Sequence, residues 1–300
     1  MPVQQLVEYF NDRLEREHKN HLRPFVIKDD KVYGIYGPVR VGSVMLPLRE
    51  TLRQSQIAGY TAHINVAANP ETGFASRDSG LAYPPIEPSF DSESIVNFDR
   101  LARTVHMLNY LPQSHLDDLL ILDVDPRHIL GVKTDHGAYF EEIIIKCGLK
   151  TRNVAIGLKI SPDYARVYSS LLKGLYNYQD RGYRVALKLD YYSLDKSSFE
   201  LISRASPDFV AMSAQHLDAI RDNRLPEKLS QLCQLVASMD GRSVMLDIED
   251  KRNAALARQM GFDLVQGAYF DAETPGLPNE HLLDSPLDST DKRVAAVRHY

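Results

Sequence analysis

Between Val3 and residue 21, Leu6, Val7, Phe10 and Leu14 recur at helical spacing with charged residues between them, which predicts one amphipathic helix. From about Val32 the rhythm changes to short apolar runs alternating with longer stretches of 3.6-residue period. The runs at residues 43–48, 60–67, 119–125, 153–161, 184–190, 208–213, 242–248 and 264–270 predict eight strands. The stretches at 95–111, 136–148, 162–182, 197–204, 227–239 and 251–261 predict helices. Ser161 before Pro162 reads as a helix cap followed by proline in the first turn, and Gly182 and Gly261 stand at helix exits. Strands alternating with helices predict parallel βα units, an α/β fold. Eight of them favour a closed (β/α)8 TIM-like barrel over an open doubly wound sheet, for which the chain offers no Gly-rich phosphate loop.

Two stretches interrupt this rhythm. Residues 68–93 carry Pro70, Gly73, Gly80, Pro84, Pro85 and Pro88 and are too long for an ordinary connection, so they read as a functional lid or a mobile insert. Residues 271–292 are polar and read as an extended tail. The expected organisation is an N-terminal helical extension over 1–35 and a barrel over 36–300, with no sensory domain or second module attached.

Composition narrows the function classes. With 44% apolar and 25% charged residues the chain has enough apolar material for a packed core. Its net charge of −5 gives no electrostatic sign of a nucleic-acid polymer as partner. No apolar run reaches the roughly 18 residues of a membrane span. The charged N-terminus lacks the apolar segment of a signal peptide, so a cytoplasmic location is expected. Cys147 and Cys233 lie in apolar helical stretches and read as buried thiols rather than a disulfide.

In a βα barrel, functional groups gather at the C-terminal ends of the strands. Alternation along a strand puts Asp123 with Asp125, and Lys188 with Asp190, on common faces; Asp247 and Glu249 stand at a third strand end, and Thr61, His63 and Asn65 share a face of a fourth. Gathered at one mouth, such carboxylates and His63 have the oxygen-rich character that a divalent cation prefers. The simpler reading is mutual pairing, with Lys188 bound to Asp123 or Asp190. Asp135 reads as a helix cap near His136 and His128. Tyr176, Tyr178 and Tyr183 surround a helix end and read as core or interface. Tyr191 and Tyr192 follow a strand end and either pack or stack on a ligand. Zinc-type Cys/His spacing and a Gly-x-Ser-x-Gly elbow are both missing.

Several segments in order resemble the EAL-domain family, the barrel phosphodiesterases of cyclic di-GMP. The most specific is Val244-Met245-Leu246-Asp247-Ile248-Glu249-Asp250, then a helix ending Met260-Gly261, then Asp263-Leu264-Val265-Gln266-Gly267-Ala268-Tyr269-Phe270. The family has a Glu-Gly-Val-Glu segment, a helix and a Gln-Gly-Tyr-x-Phe-like strand at that separation. Phe98-Asp99-Arg100-Leu101, Leu122-Asp123-Val124-Asp125-Pro126 and Pro207-Asp208-Phe209-Val210 add support. The resemblance spans about residues 40 to 275 and implies a barrel of the EAL kind.

The same resemblance implies that the catalytic set has been replaced. The family's Glu-Ala-Leu falls on Thr61-Ala62-His63 and the arginine beyond it on Asn65. Its metal-binding asparagine falls on Asp123, the next glutamate on Gly157, and the paired aspartates on Lys188 and Leu189. The catalytic lysine and the acid after it fall on Ala211 and Ser213, and the first glutamate of Glu-Gly-Val-Glu on Leu246, while Glu249, Gln266 and Gly267 match. Hydrolysis of a phosphodiester needs a cation to polarise the phosphoryl oxygen and a base to orient water. Lys188 sets a positive charge where a cation would bind, and a like-charge contact at 4 Å costs about 1 kcal/mol even in water. The expected function is a catalytically inactive EAL-like signalling protein that acts through contacts with a protein partner, with no catalytic residues and no magnesium or other cofactor. The first alternative is a non-hydrolysing cyclic di-GMP receptor using Asn65, Lys188, Tyr191 and Gln266. The second is an enzyme with a metal site rebuilt from Asp123, Asp125, Asp190, Asp247 and Glu249. A homodimer is implied by resemblance alone, and no membrane or nucleic-acid polymer is expected as partner.

Overall fold

A computed structural model describes residues 2–18, 23–68, 92–114, 119–132 and 135–272. Most of the segment read as a lid or insert, and most of the tail, lie outside them. Helix α1 (Val3–His18) precedes a hairpin of β1 (Phe25–Lys28) and β2 (Lys31–Tyr36). Two longer strands follow, β3 (Val39–Glu50) and β4 (Ile57–Ala68). After α2 (Ser92–Tyr110) the chain alternates strictly: β5 (Leu119–Asp123), α3 (Pro126–Gly131) with α4 (Ala138–Lys146), then β6 (Val154–Lys159) and α5 (Tyr168–Asp180). It continues as β7 (Arg184–Leu189), α6 (Lys196–Ala205), β8 (Phe209–Ser213), α7 (Leu225–Ala237), β9 (Arg242–Leu246), α8 (Lys251–Met260), β10 (Leu264–Val265) and α9 (Ala268–Ala272).

Strands β4 to β10 run parallel in chain order, and β3 closes the ring by pairing antiparallel with both β4 and β10. Each of the eight apolar runs predicted as a strand lies in this barrel. Runs such as Leu119-Leu120-Ile121-Leu122 are continuous because a parallel strand is buried on both faces. Alternation then divides them. Leu119, Ile121, Ala155, Ala186, Phe209, Ala211, Val244, Leu246 and Leu264 fill the barrel interior, while Leu120, Leu122, Ile156, Leu187, Val210 and Met245 face the helices.

The apolar pattern does not announce β1 and β2. Their turn, Asp29-Asp30, has both residues at positive φ (50° and 59°), the conformation of a two-residue hairpin that aspartate tolerates. Asn11 of α1 donates to the Phe25 carbonyl at 2.8 Å and accepts the Phe25 N–H at 2.9 Å, which ties the helix to this edge strand.

Five predicted strands end earlier than expected, three of them just before or at an aspartate. Asp125 caps α3 by accepting the Arg127 N–H, Asp190 caps a 3₁₀ turn by accepting the Ser193 N–H, and Asp250 caps α8 by accepting the Asn253 N–H. Asp125 and Asp190 are still extended but start the helical turns that follow them, while β9 is broken by Asp247, whose φ is +59°. The alternation that put Asp125 beside Asp123, and Asp190 beside Lys188, therefore stops before it reaches them. The other two, β6 and β10, end at Lys159 and Val265, and residues 268–272 are helical. Asp135 is not the expected cap: Gly137 occupies that position, and Asp135 pairs with Arg181 at 3.4 Å. Ser161 does cap, but its first segment, Pro162–Val167, is a 3₁₀ helix that precedes α5.

Gly267 secures the mouth end of β10. Its φ is +156°, and a Cβ there would lie 2.1 Å from the Ile248 carbonyl oxygen. Gly267→Ala is expected to cost about 3 kcal/mol or more of unfolding free energy, because backbone on both sides has to move. Urea unfolding of the purified variant checks this.

Candidate functional site at the barrel mouth

Strand alternation directs Asp123, Gly157, Lys188 and Ala211 to the same side as the interior layer beneath them. Lys188 and Asp123 stand two strands apart, on β7 and β5, with β6 between. Gly157 on β6 is the register partner of both Asp123 and Ala186, and it has no side chain to separate the pair. The Lys188 Nζ reaches Asp123 Oδ1 at 2.6 Å. A Cβ on Gly157 would lie 2.4 Å from that carboxylate oxygen. The ion pair thus crosses the mouth through space that only glycine leaves open. Of the pairings read from the sequence, Lys188 makes the one with Asp123.

The remaining mouth groups form a hydrogen-bonded floor. Gln266, 2% exposed, donates from Nε2 to Thr61 Oγ1 at 3.0 Å. Thr61 in turn lies 3.0 Å from His63 Nε2. The Thr61 hydroxyl that accepts from Gln266 keeps a proton and a second lone pair, so it can complete the contact with His63 in either direction. Burial lowers the His63 pKa, and the charge of Lys188 lowers it further against the opposing pull of Asp123 and Asp247. Ser213 donates to Asp247 Oδ2 at 2.6 Å, and Asp247 holds a left-handed φ of 59°. Ala211 and Leu246 contribute only carbon to the interior.

The other candidates are placed as follows. Asn65 is exposed near the outer end of β4, opposite Gly42. Tyr191 donates to Asp222 Oδ2 at 2.6 Å, and Lys228 lies over its ring and bonds the same carboxylate at 2.8 Å. Tyr192 is 72% exposed. Asp125 and Asp190 are engaged as caps, and Asp125 also pairs with Arg127 at 2.6 Å. Glu249 is exposed. Among the described residues no three His, Cys, Asp or Glu side chains are grouped to hold a metal ion. The donor set does not fit a divalent cation, because Asp123 is neutralised by an ammonium and Asp247 is turned to a hydroxyl.

A buried polar cluster behind β5, which sequence reasoning missed, supports this mouth. Asp99 on α2 pairs with Arg103 at 2.9 Å and with His128 Nδ1 at 2.8 Å, and all three are at most 3% exposed. Its other oxygen accepts the Asp125 N–H at 3.3 Å, which anchors the turn that carries Asp123. Burial pushes the Asp99 carboxyl up, but Arg103 and His128 hold it below its ordinary value. One signal was legible, the i, i+4 spacing of Asp99 and Arg103 on a helix; the remote His128 partner was not.

The charged form is disfavoured at three histidines, buried His106 and His128 and half-buried His63. Burial pushes His106, bonded to Ser43, down to about 3, and it lowers His63 and His128 as well. Their folded pKa values lie below the unfolded value near 6.5, so their contribution is complete above that pH and is lost as pH falls through the window below it. Unfolding free energy is expected to be level above pH 7 and to fall by up to about 1.4 kcal/mol per pH unit for each histidine below 6.5. Urea titrations at stepped pH test this, and His106→Gln should flatten the slope.

The contact between Gly157 and Asp123 gives a second expectation. Gly157→Ala should destabilise by about 1–3 kcal/mol by crowding the carboxylate. In the background of Asp123→Ala the same change should cost much less, a coupling readable in a double-mutant cycle.

Residues 139–273 match the family model described as EAL domain, which bears out the resemblance read from the sequence. No curated protein matches the chain. Among solved structures, the YkuI protein of Bacillus subtilis, which has an EAL domain and is in complex with cyclic di-GMP and calcium, is 18% identical with a TM-score of 0.58. That match covers 76% of this chain and 54% of the YkuI chain. BlrP1 of Klebsiella pneumoniae, solved with manganese and cyclic di-GMP, is 16% identical with a TM-score of 0.60, over 78% of this chain and 56% of its own. The FimX EAL domain of Xanthomonas citri, in complex with cyclic di-GMP, is 12% identical with a TM-score of 0.58, over 89% of this chain and 92% of its own. At these identities the likeness shows the fold. The chain spans about half the length of the YkuI and BlrP1 chains it matches.

Proposed function

We propose that this chain, which carries an EAL domain over residues 139–273, is a non-hydrolysing member that regulates through contacts with a protein partner. The observation that carries the reading is the Lys188–Asp123 ion pair. A phosphodiester is opened by cations that polarise it and lower the pKa of the attacking water. Here an ammonium stands against the carboxylate that would have to hold such a cation, and carbon from Ala211 and Leu246 fills the adjoining interior. His63, the one imidazole among the mouth groups described, has its Nε2 engaged with the Thr61 hydroxyl at 3.0 Å. Among the described residues no helix is long and apolar enough to cross a membrane.

A second reading, a receptor that binds cyclic di-GMP without cutting it, is favoured by Gln266. Its Oε1 is buried and accepts no hydrogen bond among the described residues. A buried acceptor left without a donor costs about 1–3 kcal/mol, which a ligand N–H at the mouth would relieve. Solved relatives hold cyclic di-GMP.

One experiment addresses both readings. Purified protein is incubated with cyclic di-GMP and magnesium or manganese, and product formation and nucleotide retention are followed in the same samples. We expect no linear product. Saturable retention without product favours the receptor, no retention favours the protein-contact reading, and metal-dependent turnover overturns both.

A further inference from the structure

We propose that Lys159 and Lys188 form a metal-independent anchor for a phosphate group at the barrel mouth. This deepens the receptor reading above and rests on it only for the identity of the ligand. Lys159 and Lys188 are register partners on β6 and β7, whose backbones lie about 4.8 Å apart. Lys159 stands two residues beyond Gly157 on the same strand face. The Lys188 ammonium is drawn across β6 toward Asp123, over Gly157. Two residues along a strand span about 6.6 Å, so Lys159 emerges one step further out than the Lys188 ammonium. A tetrahedral phosphate that receives an ammonium at about 2.8 Å on each of two oxygens bridges a gap of this size.

The charges facing this position support the assignment. Lys159 is exposed and makes no ion pair among the described residues. Lys188 has three N–H donors, of which one faces Asp123, so two remain for a ligand. Asp247 is turned toward Ser213, and His63 has Thr61 on its Nε2. Asp123 is the opposing charge. It orients Lys188 and at the same time repels an anion, so its removal should have the opposite sign to removal of either lysine.

The test is calorimetry of the full chain in EDTA, with cyclic di-GMP in one arm and inorganic pyrophosphate in the other. We expect saturable binding that manganese does not strengthen and that weakens as salt is raised. Lys159→Ala and Lys188→Met should each weaken it by about tenfold, and Asp123→Asn should tighten it severalfold. Lys159 is exposed, so its variant is the one whose folding is least at risk, and urea unfolding of each variant separates lost binding from lost structure. Binding of pyrophosphate alone also supports the anchor and assigns it to small phosphates. No binding in EDTA in either arm, binding only with added manganese, or wild-type affinity in Lys159→Ala overturns it. Hydrolysis of cyclic di-GMP defeats the non-hydrolysing reading and leaves the anchor standing. Absence of both hydrolysis and binding removes the anchor and leaves the protein-contact reading.

Discussion

The mouth of this barrel is organised by the absence of one side chain. Gly157 lets a carboxylate from β5 and an ammonium from β7 meet across β6 at 2.6 Å. Any larger residue would fill the gap and force Asp123 aside. Because the pair is only partly exposed, with the lysine side chain at 12% and the aspartate at 34%, water screens it incompletely. Within it the Lys188 charge adds to burial in lowering the pKa of His63, and the Asp123 carboxylate is engaged rather than open.

The pair depends on the turn that carries Asp123. That turn is fixed from behind by Asp99, which accepts the Asp125 N–H and is itself held by Arg103 and His128. An ionised carboxylate at 1% exposure is tolerable only with such partners. A polar cavity of about 20 Å³ borders Arg103, His128 and His136, with room for a water rather than for a larger ligand. The cluster therefore acts as a support for the β5–α3 turn, not as a second site.

Much of the architecture was legible because its physical cause is local. A parallel strand buried on both faces must be apolar along its length, and a helix on the barrel must be apolar at every third or fourth residue. The short charged hairpin Lys28-Asp29-Asp30-Lys31 carries neither signature, so β1 and β2 went unannounced. Strand ends were misjudged where an aspartate changed role. Asp125 and Asp190 look like further strand residues in the sequence, yet each accepts a backbone N–H and starts the next turn.

For the mouth, the sequence by itself determined which chemical groups are available at the strand ends: a lysine, a glycine, an alanine, a leucine and several acids. Only the tertiary structure decided which of those acids meets Lys188. Strand periodicity places side chains on faces but is silent about partners two strands away. That choice depended on where Asp125 and Asp190 turned the chain after β5 and β7 and on the space above Gly157, which is set by the register in which those two strands pair on opposite sides of β6.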